Sequence, residues 1–196
     1  MRYELDHKAR TRERLVREAS TALRIEGPDR LGVAALMGRA GLTHGGFYAH
    51  FPSKDALLAE ALEASFADGA ALFASFADLP PAEALRRYVR FYTSRSHRDD
   101  PGGGCPLAAL SADLPRMGPQ AQARFGAGLT RLTDRLAALI DAHGLPDAGD
   151  LAASCLAEMK GALALSRAVA DPDQSDAILR TSRRSVMRRL NLEPAE

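Results

Sequence analysis

The chain has 196 residues, of which 46% are hydrophobic and 26% are charged, and its formal net charge is +1. This apolar fraction is too high for a disordered chain, and no apolar run reaches the ~18 residues typical of a membrane span. The Arg-rich residues 1–17 lack the apolar stretch of a signal peptide, so we expect neither a leader nor a membrane partner. Two cysteines without a CxxC spacing argue against a disulfide framework and favour a reducing, cytoplasmic location.

The charge is distributed unevenly along the chain. Residues 1–54 contain ten Lys/Arg against six Asp/Glu, a net +4, whereas residues 55–196 contain 16 against 19, a net −3. A basic N-terminal part followed by a mildly acidic remainder indicates two tasks in one chain, although a solvated charged face produces the same counts. The small total charge therefore does not exclude a nucleic-acid partner.

Apolar residues recur at helical spacing along almost the whole chain, and strand signals are nearly absent. The sequence therefore predicts an all-α fold of about nine helices with short connections. A break separates the fifth and sixth helices over residues 99–104. The predicted helices lie, in chain order, at about 15–23, 33–40, 43–51, 53–76, 85–92, 105–115, 125–139, 151–169 and 174–190.

Residues 33–51, VAALMGRAGLTHGGFYAHF, have the pattern of a helix-turn-helix. Gly41 can adopt a positive φ and end the first helix, and Thr43 can cap the second. The first residues of such a second helix face the major groove of DNA. The residues expected there for base readout are His44, Gly45, Gly46 and Tyr48.

The segment AGLTHGGFYAHFPSKDALLAEAL is similar to the DNA-binding signature of the TetR family of bacterial transcriptional regulators, and the match covers roughly residues 10–62. The positions in register with the family pattern are Gly41, Thr43, Gly45, Tyr48, Phe51, Lys54 and Leu57. The resemblance implies an N-terminal three-helix DNA-binding head, residues 1–52, and a ligand-binding and dimerisation body, residues 53–196. This layout agrees with the nine predicted helices.

The resemblance also implies roles for single residues of the head. Tyr48 and Lys54 would contact DNA phosphates, with Lys54 at the positive N-terminal end of the next helix. Thr43 would meet the DNA backbone as well as cap its helix. The residues implied to lie nearest the bases are His44, Gly46 and His50.

Two glycines depart from the family pattern. Gly32 stands where the family usually has Thr or Ser, and Gly46 where a small polar side chain is frequent. Sequence preference would then depend on His44 or on cations outside the motif. The cations that can reach phosphates or the minor groove are Lys8, Arg10, Arg12, Arg14 and Arg39, although a merely solvated terminus is equally compatible with them.

The stretch DDPGGGCPLAALSADLP, residues 99–115, is the most unusual part of the body. It predicts a flexible loop followed by a helix with Cys105 at its N-cap and Pro106 at its first position. Unpaired N–H groups there favour a thiolate and a lowered thiol pKa, so Cys105 is a candidate sensor of oxidants or electrophiles. The alternative is a small apolar side chain that fills space, as we expect for Cys155.

The body also contains candidates for a ligand pocket and a dimer face. The expected pocket walls are Tyr88, Phe91, Tyr92, His97, Cys105, Leu110, Phe125 and Leu129, although aromatic stripes at this spacing equally build plain cores. The resemblance implies that the last two helices pair with their copies in a second chain. The residues predicted for that face are Leu156, Met159, Leu163, Ile178 and Val186.

We interpret the chain as a homodimeric TetR-type regulator. It would be a repressor, released from a palindromic operator in double-stranded DNA by a small-molecule effector or by modification of Cys105. No HExxH, P-loop or GxSxG motif occurs, so we expect no catalysis, no cofactor and no bound metal. Two alternatives stay open: a thiol-dependent redox protein built around Cys105, and a helical adaptor that has lost DNA binding.

Overall fold

Helices make up all the regular structure in the described part of the chain, as the sequence predicts. The computed structural model describes the backbone of residues 2–192 and the side chains of residues 7–192. Its α-helices are α1 (Arg2–Glu26), α2 (Val33–Arg39), α3 (Lys54–Ala74), α4 (Pro81–Tyr92), α5 (Arg95–Asp99), α6 (Pro106–Leu110), α7 (Pro119–Ala142), α8 (Ala148–Ala168) and α9 (Pro172–Arg189). Two short 3-10 helices cover His44–Ala49 and Leu114–Arg116.

Three details differ from the predicted element order. The predicted helix after Thr43 is a single 3-10 segment, His44–Ala49, which we call the recognition segment. The predicted helix over 105–115 is interrupted, so that α6 ends early and the second 3-10 helix follows. An additional helix, α5, begins where the side chain of Ser94 accepts a hydrogen bond from the His97 backbone N–H. Periodicity alone does not reveal a five-residue helix that depends on its cap.

Two predicted helix boundaries in the head have the expected cause. Gly41, just beyond α2, has a φ of +69°, a conformation that an L side chain would strain. The Ser53 hydroxyl accepts a hydrogen bond from the Ala56 backbone N–H and caps α3. Both features were readable from single residues because each acts within one turn of chain.

The buried side chains form two clusters, and α3 contributes to both. The N-terminal cluster joins α1, α2, the recognition segment and the first half of α3 to α6 and the start of α7. The C-terminal cluster joins the second half of α3 to α4, α7, α8 and α9. Along α3, Leu57 and Leu62 belong to the first cluster and Phe66 to the second. A movement of α3 would therefore disturb both clusters.

Helices α3 and α7 approach closely at Gly128. A Cβ atom at this position would lie 2.3 Å from the Phe66 ring, so no larger residue fits without a shift. Phe66 also packs edge-on against Phe125, with 5.8 Å between ring centroids. This contact sets the distance between the two helices.

Four of the five residues predicted for a dimer face are instead inside the protomer. Each is at most 2% exposed, because α8 and α9 turn this side toward α4 and α7; the four are Leu156, Met159, Leu163 and Val186. The fifth, Ile178, is partly exposed and lies with Leu165 in a groove of about 530 Å³ between α8 and α9. Leu165 is 60% exposed. The sequence pattern identifies the apolar side of each helix. Because the core of the protomer covers that side, it is not available to a second chain.

Polar contacts attach the α4–α5 corner to the last two helices. Arg167 of α8 donates to the carbonyl oxygens of His97 and Arg98, at 2.7 and 3.0 Å. Arg183 of α9 donates to the Thr93 hydroxyl at 2.9 Å. Asp176 of α9 accepts hydrogen bonds from Arg95 and Arg98, and the Arg95 hydrogen bond contributes most to lowering the pKa of its carboxyl. These contacts connect α4 and α5 to the α8–α9 pair.

Within residues 2–192, no helix is both long enough and apolar enough to cross a membrane.

Candidate nucleic-acid interface and effector cavity

The recognition segment presents one face to the core and one to solvent. Phe47 is 1% exposed and packs on Phe51, with 5.6 Å between ring centroids. Tyr48 is 68% exposed, and its ring lies nearly perpendicular to that of Phe47, with 5.3 Å between the centroids. A large exposed aromatic side chain with a free hydroxyl suits contact with a DNA backbone, and the buried neighbours hold it in place.

The N-terminal end of the recognition segment is open to solvent. Thr43, His44 and Gly45 are exposed, and Gly46 is partly exposed. Thr43 has the extended backbone of an N-cap, but its hydroxyl makes no capping hydrogen bond, contrary to the expectation from sequence. The hydroxyl and the first backbone N–H groups are thus available to an external acceptor such as a phosphate.

Two of the cations predicted to reach phosphates, Lys54 and Arg39, already have partners on the protein. Lys54 Nζ donates to the Pro28 carbonyl oxygen at 2.7 Å, which anchors the loop before α2 to the start of α3. Arg39 donates to Glu26 at 2.9 Å. An ammonium has three donors, so Lys54 can still contact a phosphate, whereas Arg39 would have to share its guanidinium between Glu26 and DNA.

Arg12 supports the recognition segment from behind. It donates to the His50 carbonyl oxygen at 3.3 Å, pairs with Glu60, and lies 4.8 Å above the Phe51 ring. Burial, with the nearby charges of Lys8 and Arg12, lowers the pKa of His50. His50 is only partly exposed and Lys8 is exposed, so Lys8 is the freer of these side chains to reach DNA.

Arginines of α1 bind backbone carbonyls elsewhere in the head and at the cavity. Arg14 donates to the Ala40 carbonyl oxygen at 2.9 Å, where α2 ends and its last carbonyls lack partners. Arg24 is buried and donates to Asp68 and to the Gly104 carbonyl oxygen, at 3.2 and 3.3 Å. The sequence reveals the positive charge of these arginines but not the carbonyl oxygens that they bind. Part of the positive charge of residues 1–54 therefore holds the head together.

A cavity of about 240 Å³ lies in the body among α3, α4, α7 and the loop before α6. Four of the predicted pocket residues line it: Tyr88, Phe91, Tyr92 and Cys105. The walls that sequence reasoning missed include Phe66, Phe73, Leu132 and the glycines at 103 and 104. Glycine has no side chain that would mark it as a pocket residue in the sequence. The spacing of Phe66 and Phe73 is equally typical of core residues.

Four other predicted pocket residues lie elsewhere. Leu110 is fully buried in the N-terminal cluster, because α6 packs beneath α1. Phe125 and Leu129 line a separate groove of about 310 Å³ between α7 and α8. His97 is buried behind the cavity wall, stacked on Phe91 with 4.9 Å between ring centroids.

His97 ties the wall of the cavity together as a neutral imidazole. Its Nδ1 donates to the Tyr92 carbonyl oxygen at 3.0 Å, and its Nε2 accepts from the Cys105 backbone N–H at 2.9 Å. An acceptor at Nε2 requires that nitrogen to be unprotonated. Burial lowers the pKa of His97 to about 4, and Arg167 adds to the effect.

Cys105 occupies the predicted N-cap of α6, with Pro106 at the first helical position. Its thiol pKa is nevertheless raised, contrary to the expectation from sequence. Burial is the largest cause and outweighs the hydrogen bonds from Tyr92, Leu107 and Ala108 that favour the thiolate. Cys155, the second cysteine, is fully buried in the C-terminal cluster, as expected. In the described residues, no group of three His, Cys, Asp or Glu side chains could hold a metal.

Comparison with known proteins agrees with this two-part architecture. A family model described as "Bacterial regulatory proteins, tetR family" matches residues 15–61. A second, described as "Transcriptional regulator LmrA/YxaF-like, C-terminal domain", matches residues 81–181, more than half of the chain. No curated protein sequence matches the chain significantly.

Solved structures share the fold at low sequence identity. A TetR-family regulator from Chloroflexus aurantiacus J-10-FL has a TM-score of 0.81 at 22% identity, covering 96% of this chain and 98% of that one. A TetR-family regulator from Agrobacterium tumefaciens has 0.77 at 22%, covering 91% and 98%. The reduced form of E. coli NemR has 0.78 at 18%, covering 91% and 96%.

The helix-turn-helix, the helical body and both family models point to one conclusion. The protein belongs to the TetR family of bacterial regulatory proteins, and it is a DNA-binding transcriptional regulator rather than an enzyme.

Proposed function

We propose that the protein acts in the bacterial cytoplasm as a homodimeric repressor, bound to a palindromic operator in double-stranded DNA and released when a small molecule occupies the body cavity. The observation that carries this proposal is the sharing of α3 between the two clusters. At its N-terminal end, Lys54 and Leu57 contact the head, whereas Phe66 forms part of the cavity wall. A ligand that displaces Phe66 would reorient the head on the same helix.

A second connection runs from the cavity to α1. The loop that carries Gly103, Gly104 and Cys105 along the cavity is packed against the head on its other side. Arg24 holds the Gly104 carbonyl oxygen, and a Cβ at Gly102 would lie 3.0 Å from Ile25. Displacement of this loop would therefore also shift α1. Ligand in the cavity would weaken the affinity for the operator. The size of this effect would equal the ratio of the ligand affinities of the DNA-free and the DNA-bound conformations.

The partner in the proposed dimer is a second copy at the α8–α9 groove. Gly161, Leu165 and Ile178 line this groove, and Leu165 is 60% exposed. Small residues allow two helices to approach closely, and the exposed leucine gains from burial. In the simplest arrangement, the two heads would read half-sites about 34–36 Å apart.

Effector binding is a better trigger than Cys105 modification. A raised thiol pKa leaves little thiolate at neutral pH, and thiolate is the reactive form. The cavity, in contrast, is lined largely by apolar and aromatic side chains, which suits reversible binding of a small molecule.

The proposal is tested by fluorescence anisotropy with labelled duplex DNA from the region upstream of the protein's own gene, against a scrambled duplex of equal length. We expect the protein to bind the upstream duplex more tightly than the scrambled one, with an affinity that falls steeply as the salt concentration rises. Equal affinity for the two duplexes would favour the adaptor alternative. Release by peroxide that is lost in Cys105→Ser would favour thiol control over effector binding.

A further inference from the structure

A carboxylate of α3 lies on the first turn of α7. The Asp55 Oδ2 accepts a hydrogen bond from the Gln120 backbone N–H at 3.4 Å, although the two residues are 65 positions apart. The Asp55 Oδ1 is buried and has no hydrogen-bond partner among the described residues. A Cβ atom at Gly118 would lie within 2.6 Å of Cγ, Oδ1 and Oδ2 of Asp55. The carboxylate is therefore packed directly on the N-terminal end of α7.

Helix α7 has no side-chain cap of its own. Its N-cap residue, Gly118, has no side chain, and its first turn contains no acidic residue. Pro119, at the first helical position, lacks an N–H group, so the Gln120 N–H is the first that needs an acceptor. The φ of Gly118 is −67°, which any residue can adopt. Glycine is therefore favoured here because the Asp55 carboxylate occupies the space of a side chain.

Charge favours the same contact. The contacts between α3 and α7 follow the same order along both helices, from Asp55 with Gln120 to Phe66 with Gly128. The two helices therefore run in the same direction, and their positive N-terminal ends lie side by side. Lys54 adds a positive charge at the start of α3. A carboxylate at this point offsets the repulsion between these positive groups.

The contact joins the DNA-binding end of α3 to the body. Lys54, which precedes Asp55, holds the Pro28 carbonyl oxygen in front of α2. Helix α7 packs in the C-terminal cluster and lines the cavity. The apolar contacts around α3 resist separation, but they are non-directional and allow small rotations. The hydrogen-bonded Asp55 carboxylate adds a directional contact where the head meets the body.

We propose that Asp55 is a positioning residue for DNA binding, which fixes the orientation of the head on the body through the N-terminal end of α7. In a dimer this orientation sets the distance between the two heads. A palindromic operator requires both heads at a fixed spacing, whereas non-specific binding depends mainly on phosphate charge. Loss of the contact should therefore weaken binding to the operator far more than binding to other DNA. This inference rests on the proposed function, since it assumes the dimer that reads a palindrome.

The test measures binding of full-length variants to the upstream and the scrambled duplex by fluorescence anisotropy. We expect Asp55→Ala to bind the upstream duplex about tenfold more weakly, and the scrambled duplex within about twofold of wild type. Unfolding of part of the protein would instead weaken both equally. Asp55→Asn keeps an oxygen acceptor and should stay within about twofold of wild type on both duplexes. Asp29→Ala, which removes an equal charge from an exposed position of the head, is the control that should keep the wild-type preference.

A second substitution separates positioning from stability. In Asp55→Ala/Gly118→Ser, the serine hydroxyl can cap α7 from within its own segment, and the space that its Cβ needs has been vacated. Urea denaturation should show that this double variant regains most of the stability lost in Asp55→Ala. Its affinity for the upstream duplex should nevertheless stay about tenfold below that of wild type, because the new cap does not reach α3.

Three results would overturn the inference while leaving the proposed function intact. The first is recovery of both stability and operator affinity in the double variant, which would assign Asp55 a purely structural role. The second is an unchanged preference for the upstream duplex in Asp55→Ala, and the third is an Asp55→Asn protein as defective as Asp55→Ala. Equal affinity of the wild type for the two duplexes would refute the proposed function together with this inference.

Discussion

The head and the body place their functional side chains differently. In the head, Thr43, His44 and Tyr48 project into solvent from a short segment anchored by Phe47. In the body, Tyr88 and Tyr92 are almost completely buried, and their surroundings come from four separate stretches of chain. The exposed face of the head suits contact with a large partner, whereas the cavity of the body suits a small one.

This difference predicts two kinds of response to mutation. Substitutions on the exposed face of the head should change DNA affinity and leave folding almost untouched. Substitutions inside the body should change stability, ligand preference or both. The exposed α8–α9 groove is the exception, because it belongs to the body but should act on DNA through dimerisation.

The largest expected effect is at that groove. Leu165→Arg places a charge in the proposed dimer contact and should convert the protein to monomers. Loss of the second linked head should reduce operator affinity at least about 100-fold, or roughly 3 kcal/mol. Sedimentation velocity and DNA anisotropy check both results. Ala127→Arg, at an exposed position of α7, is the matched control. A Leu165→Arg protein that stays dimeric would show that the dimer forms elsewhere.

The next largest effect is at the α3–α7 contact. Gly128→Ala drives a methyl group into the Phe66 ring, and should lower the free energy of unfolding by about 2–3 kcal/mol. Gly126→Ala, on the same helix, meets open space and should be neutral or stabilising by up to about 1 kcal/mol. Urea denaturation measures both. Equal effects of the two substitutions would contradict the close approach.

A third effect depends on pH and on His97. The folded-state pKa of His97 is about 4, against about 6.5 unfolded, so the unfolded state binds the extra proton between these values. Stability is therefore complete above pH 6.5 and is lost as the pH falls toward 4. The loss should reach about 2 kcal/mol between pH 7.5 and 5. Urea titrations across this range measure it.

The control for this effect is His97→Phe, which cannot titrate. It should lower stability overall and flatten the dependence on pH in the same range. His50 and Asp176 also have lowered pKa values, but they are present in both proteins and so contribute equally to each curve. Identical slopes in wild type and His97→Phe would assign the titration to another group.

The smallest expected effect is in the head. Tyr48→Ala should weaken binding to specific and scrambled duplexes alike, by about tenfold, because a phosphate contact carries no sequence information. Its free energy of unfolding should change by less than about 0.5 kcal/mol, since Tyr48 is 68% exposed. Tyr48→Phe should lose as much DNA affinity as Tyr48→Ala if the hydroxyl makes the contact. Unchanged anisotropy in both variants would remove Tyr48 from the interface.

Much of the head could be predicted from the sequence because its determinants act locally. The positive φ of Gly41, the Ser53 cap and the burial of Phe47 follow from residues within a few positions of each other. The sequence did not reveal the contacts that distant groups make in the head. Lys54 and Arg12, which the sequence predicts as DNA contacts, also bind the Pro28 and His50 carbonyl oxygens.

The body could be predicted as helices but not as a site. Helical periodicity identifies an apolar side, but it does not say whether a core, a partner or a ligand covers that side. Leu163 and Leu165, two positions apart on α8, show this: the first is fully buried and the second is 60% exposed. Cys105 was correctly placed at an N-cap, but burial by other elements reversed the expected direction of its pKa shift.

The sequence by itself determined the all-α architecture, the helix-turn-helix and the family, because propensity, capping and apolar spacing are properties of neighbouring residues. Only the tertiary structure decided which aromatic side chains enclose a cavity, which α8–α9 residues stay free for a partner, and which charges are already paired. Those outcomes depend on burial and on contacts between residues far apart in the chain. Arg24 and Gly104, 80 positions apart, meet only in the folded protein.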